Sequence, residues 1–318
     1  MMFDYLGVAL LLVLVVLLAW LTRRAWRVRR KPIRWVGSVF AGLLTVVALV
    51  LLGAALLGYW KLNRSYPNPV PDLEIRVNPE RLARGEKFAP FCSGCHAAEQ
   101  GAPMTGQDFL GPDAPPIGRF YAPNLTPVHL GDWSDGEIAR AIREGIHRNG
   151  RPLLIMPSRV LRHLGDEDLA SIIAYLRSLP PQGERAPPNA LNVLGAMLIN
   201  IAPIIEAQAP IREPVETPIP GPNPTYGAYL ASFTCAMCHG EDLMGSVNIP
   251  APPITTVPLM WTEQEFIDFM RTGNKPGGIP VNAETMPWKE LGRFLDEDDD
   301  LRAIYAHLEE RAEALSSP

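Results

Sequence analysis

The sequence predicts an all-α protein in which a transmembrane helical hairpin carries two tandem helical modules. Three observations predict it. Tyr5 to Leu21 and Trp35 to Trp60 contain no charge, and both reach or approach the length that crosses a bilayer core. Two later stretches repeat one another's key residues, and in both the apolar positions recur at helical spacing behind capping signals. The expected divisions are 1–60 for the hairpin with its basic loop, 61–77 for a Pro-rich stalk and 78–182 for the first module. A Pro-rich connector follows at 183–217, with the second module at 218–318.

Between the apolar runs lie Arg23, Arg24, Arg27, Arg29, Arg30, Lys31 and Arg34. By the positive-inside rule this loop is cytoplasmic, which sends both the N-terminus and everything after Trp60 to the outer side. A cleaved signal peptide is the alternative for the first run, but Met1 to Asp4 lacks the basic region such a peptide begins with. Pro67, Pro69, Pro71 and Pro79 punctuate the stalk and favour an extended chain. Within the connector, Ala190 to Ile205 is apolar but broken by Asn192, Asn200 and Pro203. It is too short to span, and packing against a module is favoured over lying at the membrane surface.

The internal repeat is the strongest organisational signal. Gly85 precedes Cys92 by seven residues and Gly227 precedes Cys235 by eight; Trp133 and Trp261 are each followed twelve residues later by glycine, Gly145 and Gly273. Ser134 with Glu137, and Thr262 with Glu265, form capping boxes that start a helix after each tryptophan. Ile138, Ile142 and Ile146 make the apolar stripe of one, and Phe266, Phe269 and Met270 that of the other. Met156-Pro157 and Met286-Pro287 come next, then last helices starting near Asp166 and Asp298, with Leu169 and Leu176 matching Leu301 and Leu308.

All four cysteines fall in two pentapeptides, Cys92-Ser-Gly-Cys95-His96 and Cys235-Ala-Met-Cys238-His239. Two thiols three residues apart can form thioethers to the two vinyl arms of one macrocycle, with the adjacent histidine beneath the iron, so the spacing reads as c-type haem attachment. Two covalent haem c groups are therefore expected. A pair of disulfides or one four-cysteine zinc ribbon are the alternatives, and either leaves two histidines idle. Met156 and Met286 are the candidate sixth ligands because a thioether favours ferrous iron, and because they occupy equivalent places before a proline that holds the chain out of helix. His129, His147 and His163 are rivals in the first module. Met104, Met237, Met244, Met260 and Met270 read as core filler.

These residues resemble the class I c-type cytochromes across both modules. The first is similar to cytochrome subunits of membrane-bound bacterial dehydrogenases through Asn124-Leu-Thr-Pro127, Gly131-Asp-Trp-Ser-Asp-Gly-Glu137, Arg140-Ala-Ile-Arg-Glu-Gly145 and Gly150-Arg-Pro152. The resemblance implies N- and C-terminal helices crossing beside each haem, and ligand roles for His96, Met156, His239 and Met286. The expected function is single-electron relay by a non-catalytic subunit of a respiratory or photosynthetic redox complex, anchored in a bacterial cytoplasmic membrane with its haem domains on the periplasmic side. A di-haem peroxidase is the alternative, and it requires one iron with an exchangeable sixth position. Residues 61–318 carry 22 Lys+Arg against 33 Asp+Glu, a balance of −11 that argues against nucleic acid as a partner. Residues 218–318 alone carry −9, so a basic redox partner is expected at the second module, with Asp298, Asp299 and Asp300 either in that surface or simply serving the helix N-terminus.

Overall fold

The structure is a computed structural model describing residues 4–99, 101–111, 116–202, 204–247 and 249–316. Pro203 and the extreme ends of the first and last divisions lie outside the described residues. Within them the fold is all-α, with strands confined to two-residue antiparallel pairs.

Two long apolar helices open the chain, α1 (Tyr5–Ala25) and α2 (Lys31–Asn63). Both are long and apolar enough to cross a membrane by length and composition. Asp4 caps α1 by accepting from the Gly7 N–H, and Thr22 and Thr45 meet between the two helices at 3.3 Å. Most of the cations expected in the loop sit on the helix ends, because Ala25 and Lys31 leave only five residues between helices. Beyond α2 the chain is extended, as the prolines require, and it runs along the first module. The Ile75 N–H donates to Asp135 at 2.8 Å, and Asn68 donates to the buried Glu144 carboxylate at 2.6 Å.

The first module comprises α3 (Pro79–Lys87), α4 (Ala89–His96), α5 (Pro127–Leu130), α6 (Asp135–Glu144), α7 (Ser158–Leu161) and α8 (Asp166–Ser178). In the connector lies α9 (Val193–Leu198), and the second module comprises α10 (Pro224–Phe233), α11 (Ala236–His239), α12 (Glu263–Thr272), α13 (Trp288–Phe294) and α14 (Asp298–Ser316). Both capping boxes form, and both helices they start end on a left-handed glycine, Gly145 at φ 65° and Gly273 at φ 71°. In each module the first helix crosses the last on a glycine. A Cβ at Gly85 would lie 2.0 Å from the Ser171 carbonyl oxygen, and one at Gly227 only 1.8 Å from that of Ala303.

One apolar core runs through both modules. Phe88 and Phe91, on either side of the α3–α4 junction, pack against Phe233 and Phe294 of the second module, with ring centroids 5.0–6.5 Å apart. Around this cluster polar bonds cross between modules. Lys87 donates to Asp300 at 2.8 Å, and the Tyr229 hydroxyl donates to Asp168, which also pairs with Arg84. A second core joins α1, α2, the connector and the first module through Val8, Leu52, Tyr59, Phe120, Leu154 and Ala196. The connector's apolar segment thus packs, as expected, against the first module, and against α2 as well.

One sequence expectation is corrected by packing: Met104 and Met270 are buried, but Met244 and Met260 are 44% and 66% exposed and fill no core. In the acidic run Asp300 is buried against Lys87, whereas Asp298 and Asp299 pair with Arg271 and Arg302 and stay exposed.

Candidate functional site

Each cysteine pair lies on one helical turn, where residues three apart share a face. Cys92, Cys95 and His96 ride on α4; Cys235 caps α11, which carries Cys238 and His239. All four thiols are free, and among the described residues no group of three or more His, Cys, Asp or Glu side chains converges as a zinc ribbon requires. Burial, with a smaller contribution from Cys95, pushes the Cys92 thiol up to about 12, and burial also raises Cys95, Cys235 and Cys238. Cys92, Cys235 and Cys238 are partly buried and Cys95 is exposed.

The two histidines are oriented alike. His96 Nδ1 lies 2.8 Å from the Pro123 carbonyl oxygen and His239 Nδ1 lies 2.7 Å from that of Pro252. A carbonyl only accepts, so Nδ1 carries the proton in both rings and Nε2 keeps its lone pair for a metal. Burial further holds the His96 imidazole below its ordinary value, against the opposing pull of the Pro123 carbonyl, which keeps the ring neutral as ligation demands. Behind each histidine a left-handed glycine closes the turn: the Gly106 N–H donates to the His96 carbonyl and the Gly245 N–H to that of His239, both at 2.8 Å. The residues present therefore fit a covalently bound haem on an observation independent of the cysteines.

Sequence reasoning missed this orienting layer, although a signal was there. Ala122-Pro123-Asn-Leu125-Thr126 and Ala251-Pro252-Pro-Ile254-Thr255 share one pattern, and both threonines are buried. It also missed Arg143 and Arg271, each ten residues after its tryptophan. Arg143 donates to the Leu164 carbonyl and pairs with Asp166; Arg271 donates to the carbonyls of Gly292 and Leu295 and pairs with Asp298. Each arginine ties the end of one helix to the start of the last helix of its module.

Met156 and Met286 are half-buried and pack on the main core. Each opens the same turn. The Ser158 N–H donates to the Met156 carbonyl at 2.7 Å, and the Trp288 N–H to the Met286 carbonyl at 2.8 Å. The intervening Pro157 and Pro287 have φ −79° and −78° with ψ 54° and 58°, the inverse γ-turn for which the proline ring is preset. In the first module Ile155 precedes the turn at φ 61°, a strained conformation for a β-branched residue. Among the rivals, His163 is exposed, whereas His129 and His147 flank the Trp133 ring at 5.7 and 4.8 Å. Burial, then the neighbouring His147, lowers His129 to about 4.

A family model described as cytochrome c matches residues 82–180. A component of the nicotinate dehydrogenase of Pseudomonas putida is 28% identical over 71% of this chain and 21% of that protein. The cytochrome c subunit of the quinone alcohol dehydrogenase of Gluconacetobacter polyoxogenes is 28% identical over 65% of this chain and 43% of its own length. A diheme cytochrome c-type protein of Cereibacter sphaeroides is 30% identical over 39% of this chain and 43% of its own. The chain spans from about a fifth to under half the length of these relatives.

Proposed function

The chain belongs to the class I c-type cytochromes, and from that premise we propose that it is a membrane-anchored, di-haem electron carrier serving a dehydrogenase or similar redox complex. Haem c, when bound, supplies a one-electron iron couple. Cys92 and Cys95 in one module, and Cys235 and Cys238 in the other, tether the macrocycle. His96 and His239 present Nε2, each ring held by a proline carbonyl. Met156 and Met286 would hold the iron from matched turns, and the core they pack on would limit water there. The observation that carries the reading is this duplication: the same histidine lock and the same Met-Pro turn occur in both modules. A peroxidase would need the modules to differ at the sixth position.

The cation-rich turn between α1 and α2 supports a cytoplasmic loop, with the haem modules on the periplasmic face of a bacterial membrane. A dehydrogenase subunit and the cytochrome c subunit of a quinone alcohol dehydrogenase among the relatives support a redox complex as partner. A soluble partner, if basic, meets the acidic second module at exposed carboxylates such as Asp298, Asp299, Glu309 and Glu310, whereas Asp300 is buried against Lys87. Exchange with such a partner slows as salt screens the attraction; a rate indifferent to ionic strength places the contact elsewhere.

The test is cofactor content and ligation. Two haems per chain should survive acid-acetone extraction in a pyridine haemochrome assay, and one would refute the tandem reading. Met156→His should keep one haem low-spin and lower its potential, because imidazole stabilises ferric iron relative to a thioether. An unchanged potential would make Met156 a packing residue.

A further inference from the structure

Helix α9 and the turn after it bury one face against α2 and leave the other bare. Ala196 and Ile199 are almost wholly buried, whereas Leu194, Leu198 and Ile201, at spacing i, i+4 and i+7, are 45%, 36% and 81% exposed. The contact with α2 is backbone to backbone, since a Cβ on Gly58 would lie 1.7 Å from the Ala196 carbonyl oxygen. Asn200 Nδ2 donates to the Ala54 carbonyl at 2.8 Å. Ala54 is six residues before Trp60, about 9 Å down the helix axis, and lies inside the uncharged run. At its other end α9 reaches the start of α1, where the Val193 N–H donates to Asp4 at 3.3 Å.

Depth and composition agree. The segment lies beside membrane-grade helix, not beyond its end, and Ala186 to Ile205 contains no charged residue. On the reading that α1 and α2 span a bilayer, we propose that α9 is a third membrane element that enters the outer leaflet without crossing it, with acyl chains covering Leu194, Leu198 and Ile201. Lipid is the occupant because α9 packs on α2 at Ala54 and Gly58, between which Leu56 and Leu57 are themselves exposed, and because no charged residue lies in the segment. The short helix keeps its backbone satisfied by its own bonds and by Asn192, whose side chain accepts from the Gly195 N–H. This embedding also positions the electron-transfer site. The Ile155 N–H donates to the Ile204 carbonyl at 2.7 Å, so the loop that carries Met156 is fastened to the embedded segment. Among the described residues, the second core joins anchor, connector and first module and includes none from the second. The first module is thus the membrane-proximal one.

The full-length protein in phosphatidylcholine nanodiscs, with a diazirine on the lipid acyl chain, tests this by photolabelling and peptide mass spectrometry. Adducts are expected on α1, on α2 and on the 190–205 segment, and Leu194→Gln/Leu198→Gln/Ile201→Gln should remove at least three-quarters of the last while both haems are retained. Adducts on α1 and α2 alone overturn the inference and leave the anchor reading standing; no adducts on any of the three overturn both. The same labelling in native membranes separates lipid from protein. If 190–205 labels in nanodiscs but not there, a partner subunit covers the stripe and the inference fails. Should the triple variant lose its haems, Leu198→Gln alone supplies the comparison, and labelling of 190–205 that it leaves undiminished overturns the assignment of the stripe.

Discussion

His96 and His239 are prepared for metal by a single hydrogen bond each, and neither bond involves a charged residue. A carbonyl acceptor selects the tautomer without adding the negative charge that a carboxylate would bring beside the iron. Burial lowers a histidine outside the site as it lowers His96. His307 on α14 is kept below 6.5 by burial first and by Arg311 second, against the pull of Glu310. Its depressed value means the folded state resists protonation: the stability it permits is fully present above pH 6.5 and is lost as the pH falls through the folded value. Thermal melts of His307→Gln should therefore decline less steeply than wild type below pH 6.5 and coincide with it above. Parallel curves throughout would show that His307 does not contribute to acid sensitivity.

The helices are joined by close crossings that only glycine allows. Gly85 and Gly227 let the first helix of each module rest on a carbonyl of the last, and neither has the positive φ that would explain the residue otherwise. Any side chain there must push the helices apart. Gly85→Ala and Gly227→Ala should each cost about 1–3 kcal/mol in denaturant unfolding, the usual range for overpacking. An alanine tolerated without loss at either position would mean the crossing is looser than 2 Å approaches imply. Since each crossing helix leads into the one that carries the cysteine pair, loss of the low-spin haem spectrum in denaturant should track the instability.

Across the whole molecule, the two modules are bound into one body by Phe88, Phe91, Phe233 and Phe294, with Lys87–Asp300 at the margin. Asp300 is buried and Lys87 is mostly so. Burial lowers Lys87, but the hydrogen bond and charge of Asp300, helped by Asp296 and Glu297, more than compensate, and the ammonium is held above its ordinary value. Removing one partner leaves a buried charge alone, at a cost on the order of 3 kcal/mol, whereas replacing both with apolar groups removes the penalty. Lys87→Met should split one calorimetric transition into two or lower it, and Lys87→Met/Asp300→Leu should largely restore it. If the double variant is as unstable as the single, the pair matters by shape and not by charge. The anchor, connector and first module form the other joint, so the second module projects farthest from α1 and α2 along the chain of contacts.

What the sequence determined by itself was everything carried by short range. Cys92-x-x-Cys95-His96 and its copy specify attachment by spacing on one helical turn. Ser134–Glu137 and Thr262–Glu265 specify helix starts through reciprocal side-chain-to-backbone bonds between residues three apart. The run from Trp35 to Trp60 specifies a membrane-grade helix by length and lack of charge. Tertiary structure decided what depends on partners far along the chain. No local rule says that the Pro123 carbonyl, 27 residues from His96, will turn back onto its ring, or that Lys87 will neutralise Asp300 in the other module. That Asp300 turns inward while Asp298 and Asp299 stay exposed was not legible, because charge can be read from sequence and pairing cannot. The connector was legible only in part for a similar reason: its apolar residues announce packing, but only the approach of Ala196 to Gly58 shows which face is covered and which is left exposed.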